Sequence, residues 1–398
     1  TTKLVYNTLS GALIEHKTGN LIGGNHNDEL VKNGFLVEEG VDESLILQRE
    51  NMLVRDSRVL QLSIATTLDC NFSCDYCYET RTKEKMSHKT LKSVITFIKN
   101  TIKENNLNKG HIYWMGGEPL LNREPIFKVI KELQEMISIE GIIYTNGYLL
   151  SKSFIDSLDY LKIQTVYLTI DGFGYAHDKK RNINGKPTYN KIKNNIEYLV
   201  NKWEGKVKIV IRTNIDSDNL NTYKELLEDF KDLRGKVRFT GGPKIHSDNK
   251  EIFENFEKYE AKIADDIFIR GFGKVKLPAR LSYACPAYSR YSFGINTKGE
   301  VFRCIEGLGT DTSPIGKISD DGKFLINSEE YKNWDSFDVF SDQECKECKF
   351  LPICFGGCLA VRIKSSHSSK YVDSSKACIV RDRELFNERI KRYYYENK

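Results

Sequence analysis

At 398 residues the chain is long for one simple domain, and two or three domains are expected. Hydrophobic residues make up 40% of it, enough for a sizeable core, and charged residues 29%, while no apolar run is long enough to span a membrane. Sixty basic residues against fifty-five acidic ones leave a net charge of +5, a small and scattered excess that gives nucleic-acid binding little support. The opening TTKLVYNTLS has no basic segment followed by an apolar one, so it does not read as a signal peptide and a cytoplasmic location is expected. Residues 1–60 read as a small domain. LVYNTLSGALIEHKTGNLI has short apolar runs with turn signals at Ser10-Gly11 and Thr18-Gly19-Asn20. NDELVKNGFLVEEGVDESL reads as a short helix, a turn at Asn33-Gly34 and a strand.

From residue 61 to about 270, apolar strands alternate with amphipathic helices. The strands are LQLSIAT, HIYWMG, GIIYTNG, TVYLTIDG, KVKIVIRTNI and KVRFTGG. Between them lie SHKTLKSVITFIKNTIKENN, with Ser87 as its N-cap, EPIFKVIKELQEMI, YNKIKNNIEYLVNKW and NTYKELLEDFKDL. Six repeated βα units predict an α/β fold with a parallel sheet, curled as a partial (βα)6 barrel of the TIM type. The tails GGEP, TNG, DG and RTN follow its strands and should converge at their C-terminal ends, where such folds carry their sites. Over residues 271–398 the rhythm fails. Cysteines, glycines and short strands take over, and RDRELFNERIKRYYYENK closes the chain as a helix. A loop-rich segment of that size has a thin core and needs staples.

The ten cysteines are unevenly spread. Cys70, Cys74 and Cys77 form one group, residues 78–284 hold none, and the other seven lie in the last third. Disulfides rarely persist in the cytosol, so clusters separated by a long cysteine-free stretch read as metal sites in distinct domains. Cys70-x3-Cys74-x2-Cys77 directly follows the first barrel strand. Three thiolates on one loop can hold three irons of a four-iron cluster and leave the fourth open to a small molecule. Zinc is the competing metal, but structural zinc sites close with a fourth Cys or His nearby, and the next His is His88.

C-x3-C-x2-C with an aromatic before the last Cys, followed one βα unit later by Gly116-Gly117-Glu118-Pro119, resembles the radical S-adenosylmethionine (radical SAM) enzymes. Cys285, Gly299-x4-Cys304, Cys345-x2-Cys348-x5-Cys354-x3-Cys358 and Cys378 are similar to the SPASM domain, which carries auxiliary four-iron clusters in enzymes that modify peptides and proteins. The two resemblances cover about residues 61–380. They imply three [4Fe-4S] clusters and SAM as cofactors. Cys70, Cys74 and Cys77 are implied to hold the cluster that cleaves SAM. Cys345, Cys348, Cys354 and Cys378 are implied for one auxiliary cluster, and Cys285, Cys304 and Cys358 for the other. Gly116, Gly117 and Glu118 are implied to hold the SAM amino group, with Tyr76 on the adenine side and Thr169 meeting SAM through its hydroxyl. Arg181 suits the SAM carboxylate, or belongs to a solvated charge run with Lys179 and Lys180. Asn214, in RTN, is a further SAM candidate or a structural strand-end amide.

The resemblance further implies a crosslink installed in a ribosomally made precursor peptide, thioether ahead of carbon–carbon. A flavodoxin or ferredoxin would supply the electron. Two departures bear on this. No Cys soon follows Cys285, so one auxiliary iron is expected to be open or held by another ligand. The sulfatase-maturing branch carries an Asp base after the Cys of G-x4-C, and Ile305 stands there, with Glu306 one residue on. Side-chain oxidation, as in sulfatase or quinone-cofactor maturation, is therefore the second enzyme reading. A zinc-binding scaffold that recognises peptides without chemistry is the rival from another class. The segment 1–60 vaguely resembles the small winged-helix domains that add a leader peptide as an extra strand; a cap over the barrel is the plain alternative.

Overall fold

The computed structural model describes residues 2–17, 27–216, 218–243, 256–273, 277, 285–367, 378, 380 and 383–398, so the expected turn at Thr18-Gly19-Asn20 lies outside the described residues. The chain forms two compact units, one of Thr1–Ser57, Val275–Arg290 and Asn333–Lys398, the other of Arg58–Lys274 and Tyr291–Lys332. No helix among the described residues is long and apolar enough to cross a membrane.

The larger unit contains six parallel strands in consecutive order: β3 (Val59–Thr67), β4 (Lys109–Gly116), β5 (Ser138–Thr145), β6 (Ile163–Thr169), β7 (Lys208–Ile215) and β8 (Val237–Pro243). All six expected strands form, in the partial-barrel arrangement. β3 is buried along nearly its whole length, as a strand covered on both faces must be. β5 instead alternates, with Ile139 and Ile143 buried and Tyr144 partly exposed. The crossovers include α3 (His88–Glu104), α4 (Glu124–Leu133), α5 (Lys152–Asp156), α6 (Gly174–Lys180) and α7 (Tyr189–Trp203). Ser87 caps α3 as expected, its hydroxyl accepting from the Thr90 N–H at 3.0 Å. The helix expected in NTYKELLEDFKDL is broken into α8 (Tyr223–Asp229) between two 3-10 turns. Four short strands, β9 (Ser292–Ile295), β10 (Glu300–Phe302), β11 (Gly316–Ile318) and β12 (Phe324–Ile326), extend the same sheet beyond β3. β9 runs parallel to β3 and the others follow as antiparallel hairpins.

In the smaller unit, β1 (Thr2–Tyr6) and β2 (Leu13–Lys17) form an antiparallel pair. The short helix α1 (Asn27–Lys32) follows, as expected. The strand expected after Asn33-Gly34 does not form. Gly34 and Gly40 both have positive φ, so the short stretch between them begins and ends in turns. The chain then enters helix α2 (Glu43–Arg55), capped by Asp42, which accepts from the Ser44 N–H at 2.9 Å. Two small apolar clusters hold this unit. Leu47 packs with Val339, Leu351 and Phe355, and Tyr6 and Leu13 pack on Phe350, Ile353, Phe386 and Ile390. The closing helix spans Arg383–Asn397.

Candidate functional site

The C-terminal ends of β3 and β4 carry the first cysteine loop and the Gly-Gly-Glu turn, and the backbone locks them together. The Gly117 N–H donates to Thr67 O at 3.1 Å, and the Glu118 N–H to Asp69 O at 2.9 Å. A Cβ on Gly116 would stand 2.1 Å from Thr67 O, and one on Gly117 2.4 Å from Asp69 O, so only glycines allow this approach. Ala65, Leu68 and Met115 pack with Phe302, two residues before Cys304, and with Leu308, in the 3-10 turn Ile305–Gly309 that follows it.

The cysteine loop itself is pinned from two sides. Arg81 donates to the carbonyls of Phe72 and Cys74, and the Ser73 N–H donates to Asn182 O at 2.9 Å. Burial pushes the Cys70 thiol up to about 11. Asn146 Nδ2 lies 3.9 Å from Cys70 Sγ and donates to Asn71 Oδ1 at 2.8 Å. Glu118 is fully buried, and burial pushes its carboxyl up. Its oxygens accept from the Leu120 and Asn146 N–H groups and from the Thr145 hydroxyl, at 2.7 to 3.0 Å. Neutral donors from the TNG turn therefore fix this carboxylate.

A second buried network lies at the ends of β6 and β7. The Tyr76 phenol donates to Asp171 Oδ2 and accepts from Arg181 Nη1 and from Asn214 Nδ2. Asp171, also fully buried, accepts the Asn214 N–H on Oδ1 at 2.8 Å. The Arg181 guanidinium stands over both the Phe72 and Tyr76 rings. Its side chain is 11% exposed, and Lys180 pairs with Asp216 at 5% exposure, so the solvated-run reading of Arg181 does not hold. His177 ties the network to the backbone. Its Nδ1 accepts from the Asp171 N–H at 3.1 Å, so Nε2 carries the proton and donates to Thr188 Oγ1. That hydroxyl donates in turn to Arg181 O at 2.6 Å. Thr188 is thus taken from helix capping, and Asp178 caps α7 instead, accepting the Thr188 and Tyr189 N–H groups at 2.7 and 2.9 Å.

Of the residues expected to meet SAM, Tyr76, Arg181 and Asn214 therefore come together. Gly116, Gly117 and Glu118 stand with the cysteine loop, and Thr169 ends β6 opposite Arg212. Sequence reasoning missed Asp171, His177, Thr145 and Asn146. For Asp171, Thr145 and Asn146 the available signal was their place in the strand-end tails, whereas His177 lies within α6. Beside Cys77 and Cys304, Tyr78 lies within electrostatic reach of Glu79 and Glu306. Burial pushes the Glu79 carboxyl up to about 6, against the pull of its hydrogen bond from Tyr78.

In the smaller unit the cysteines sit on short pieces. Cys345 lies in helix Gln343–Lys346 and Cys348 follows it, while Cys354 ends helix Leu351–Cys354. Phe355, Gly356 and Gly357 all have positive φ, which turns the chain sharply before Cys358. Cys285, Cys354, Cys358 and Arg362 lie within electrostatic reach of the Tyr288 phenol, which burial pushes up. Cys378 is partly buried.

A parallel (βα)6 sheet with a three-thiol loop at the end of its first barrel strand is the architecture of enzymes that pair an iron–sulfur cluster with a small bound molecule. Residues 64–226 match the family model of the Radical SAM superfamily. It is 24% identical over 332 residues to a cysteine-type anaerobic sulfatase-maturating enzyme of Clostridium perfringens, covering 75% of this chain and 88% of that protein. Its fold is similar to that of native anSMEcpe with bound AdoMet (TM-score 0.59, 20% identity, 85% of this chain and 97% of that one). It is also similar to Streptococcus suis SuiB bound to precursor peptide SuiA (TM-score 0.57, 20% identity, 91% and 84%).

The family match implies a [4Fe-4S] cluster and SAM, and the residues present fit both. Three free thiols share one loop, and a Cβ would fill the glycine cradle. Asn71 Nδ2 and Arg181 Nε are buried without a hydrogen-bond partner, two donors still to be used beside the loop.

Proposed function

We propose that this chain is a peptide maturase that installs a crosslink in a ribosomally made precursor, with a thioether favoured over a carbon–carbon bond. The observation that carries the radical chemistry is the Cys70–Cys77 loop closed on the Gly116-Gly117-Glu118 turn. Cys70, Cys74 and Cys77 would hold the cluster. Tyr76, Gly116, Gly117, Glu118, Thr169, Arg181 and Asn214 would hold SAM. When bound, the pair supplies reductive cleavage of the sulfonium C–S bond and a 5′-deoxyadenosyl radical that takes a hydrogen atom from the peptide. The chain's own part is to orient and to exclude water. Arg181 offers a cation for a carboxylate, and His177 and Asp171 hold Arg181 and Tyr76 in one geometry. Cys345, Cys348, Cys354 and Cys378 are proposed to bind an auxiliary cluster. The set Cys285, Cys304 and Cys358 rests on the spacing resemblance alone. An electron donor of flavodoxin or ferredoxin type and a cytoplasmic location belong to the same reading.

Two features support a peptide substrate. SuiB, of similar fold, is bound to a precursor peptide. β1 and β2 form an antiparallel pair in the N-terminal segment, the kind of element to which a leader could add as a further strand. The test is anaerobic reaction with a Cys-bearing precursor peptide. A product two hydrogens lighter with one fewer alkylatable thiol supports the thioether; a lighter product that keeps every thiol replaces it with carbon–carbon bonding. A second reading, oxidation of a protein side chain, is favoured by the sulfatase-maturating relative and by Glu79 and Glu306 beside Cys77 and Cys304, two carboxylates able to take a proton. An aldehyde that reacts with hydrazine probes would select it.

A further inference from the structure

Arg362 makes an unusual set of bonds for a surface-domain arginine. It is 12% exposed. Its Nη2 donates to Cys345 Sγ at 3.0 Å, its Nη1 to Asp342 Oδ2 at 2.7 Å and its Nε to Gly356 O at 3.0 Å. One planar cation thus joins a proposed ligand thiol, a carboxylate and the carbonyl of a turn glycine between Cys354 and Cys358. Asp342 uses its other oxygen to accept the Cys345 N–H at 3.1 Å, so it caps the helix that carries the ligand. The guanidinium fork is rigid and each bond fixes a different direction, so Arg362 cannot swing away without giving up all three.

We infer that Arg362 and Asp342 form a charge pair that sets the reduction potential of the auxiliary cluster held by Cys345, with Arg362 as the positioning residue that donates to the ligating sulfur. This inference rests on the proposal that Cys345 binds such a cluster. A cation and an N–H···S bond at a ligating thiolate withdraw charge from the sulfur and favour the reduced, more negative state of a cluster. A carboxylate nearby does the opposite. The two side chains therefore act with opposite signs, and Arg362, bonded directly to the sulfur, is the stronger. The net effect is a raised potential, which biases this site toward receiving an electron.

The test uses the full-length protein, anaerobically reconstituted, with iron content and a potentiometric titration followed by electron paramagnetic resonance. Arg362→Gln is expected to move the midpoint of one auxiliary cluster to lower potential, and Asp342→Asn, which keeps an N-capping side chain, to move the same midpoint higher. The cluster at Cys70, Cys74 and Cys77 serves as the internal reference and should not move. Shifts of the same sign in both variants, or none in either at full iron content, overturn the inference. If Arg362→Gln loses iron, Asp342→Asn alone decides: an upward shift supports the pair, and an unchanged midpoint removes it. Wild-type protein with the iron of the first cluster alone defeats the auxiliary-cluster reading itself, and the inference with it.

Discussion

The two cysteine-bearing segments of this molecule are held in opposite ways. Cys70, Cys74 and Cys77 hang from the end of a largely buried strand. The neighbouring strand's Gly-Gly-Glu turn is hydrogen-bonded to that same chain end, and two buried polar networks stand behind it. Cys345, Cys348 and Cys354 lie on or beside helices only four residues long; Cys345 packs on Leu47, Val339, Leu351 and Phe355, and Cys348 on Phe350, Ile353, Phe386 and Ile390. Helices that short contribute almost no stability of their own. The first loop is therefore shaped before any metal arrives, because a sheet fixes it. The second relies on local devices: the Asp342 cap, the Arg362 fork and the left-handed turn at Phe355-Gly356-Gly357. For it, the proposed cluster would supply a large part of the folding free energy.

Removing ligands should break the comparison most sharply. Replacing Cys70, Cys74 and Cys77 together with Ala should abolish SAM cleavage and lower the iron content from about twelve to about eight per chain, with little change in melting temperature. Replacing Cys345, Cys348 and Cys354 should leave SAM cleavage intact, yet expose the smaller unit to limited proteolysis. Equal proteolytic sensitivity of the two variants would show that the segments do not differ in this way.

Glycine substitutions come next in size. Gly117→Ala meets the backbone oxygen of Asp69 at 2.4 Å, an atom held by the sheet, and should cost about 3 kcal/mol in denaturant unfolding. Gly356→Ala meets the Val339 Cγ2 at 2.6 Å, a side-chain atom that can shift, with the added strain of its positive φ. About 1–2 kcal/mol is expected there. The reverse order would mean that the sheet end is the softer of the two.

A smaller effect is expected at α2, where Leu45, Met52 and Leu53 are 59%, 64% and 66% exposed. Leu45→Glu with Leu53→Glu should leave melting and peptide-free SAM cleavage unchanged while weakening precursor-peptide affinity about tenfold, measured by fluorescence anisotropy. Unchanged affinity would assign this helix no part in peptide capture.

A pH effect is expected at His177. Burial holds its imidazole well below the ordinary value, so it stays neutral in the folded chain and regains its ordinary pKa on unfolding. The unfolded state then binds the extra proton as pH falls below about 6.5, and stability is lost on acidification. Between pH 7 and pH 5 this amounts to at most about 2 kcal/mol. The pH dependence of urea unfolding should flatten by that amount in His177→Gln, whose amide cannot titrate. A parallel shift of the whole curve would mean that His177 does not titrate on unfolding.

Local signals in the sequence were enough for the barrel. Period-two apolar runs, Ser87 before α3 and the Tyr189–Trp203 stripe gave strands and helices close to their observed bounds, because each is set by neighbours in the chain. The cysteine spacing and the Gly-Gly-Glu turn were legible for the same reason, since a cluster loop and a backbone cradle are short-range designs. The strand expected after Gly34 failed, and helix α2 was missed, because its exposed apolar side chains blur the amphipathic stripe and only the Asp42 cap marks its start. What the tertiary structure alone decided are the long-range pairings. Tyr76 meets Asp171 and Asn214 across 95 and 138 residues, and Glu118 meets Thr145 across 27. Four short strands join the sheet at β3 rather than standing apart. No local preference encodes such contacts. They follow from which strands lie side by side and from the cost of burying a carboxylate or guanidinium without a partner, a cost that only the folded chain can meet.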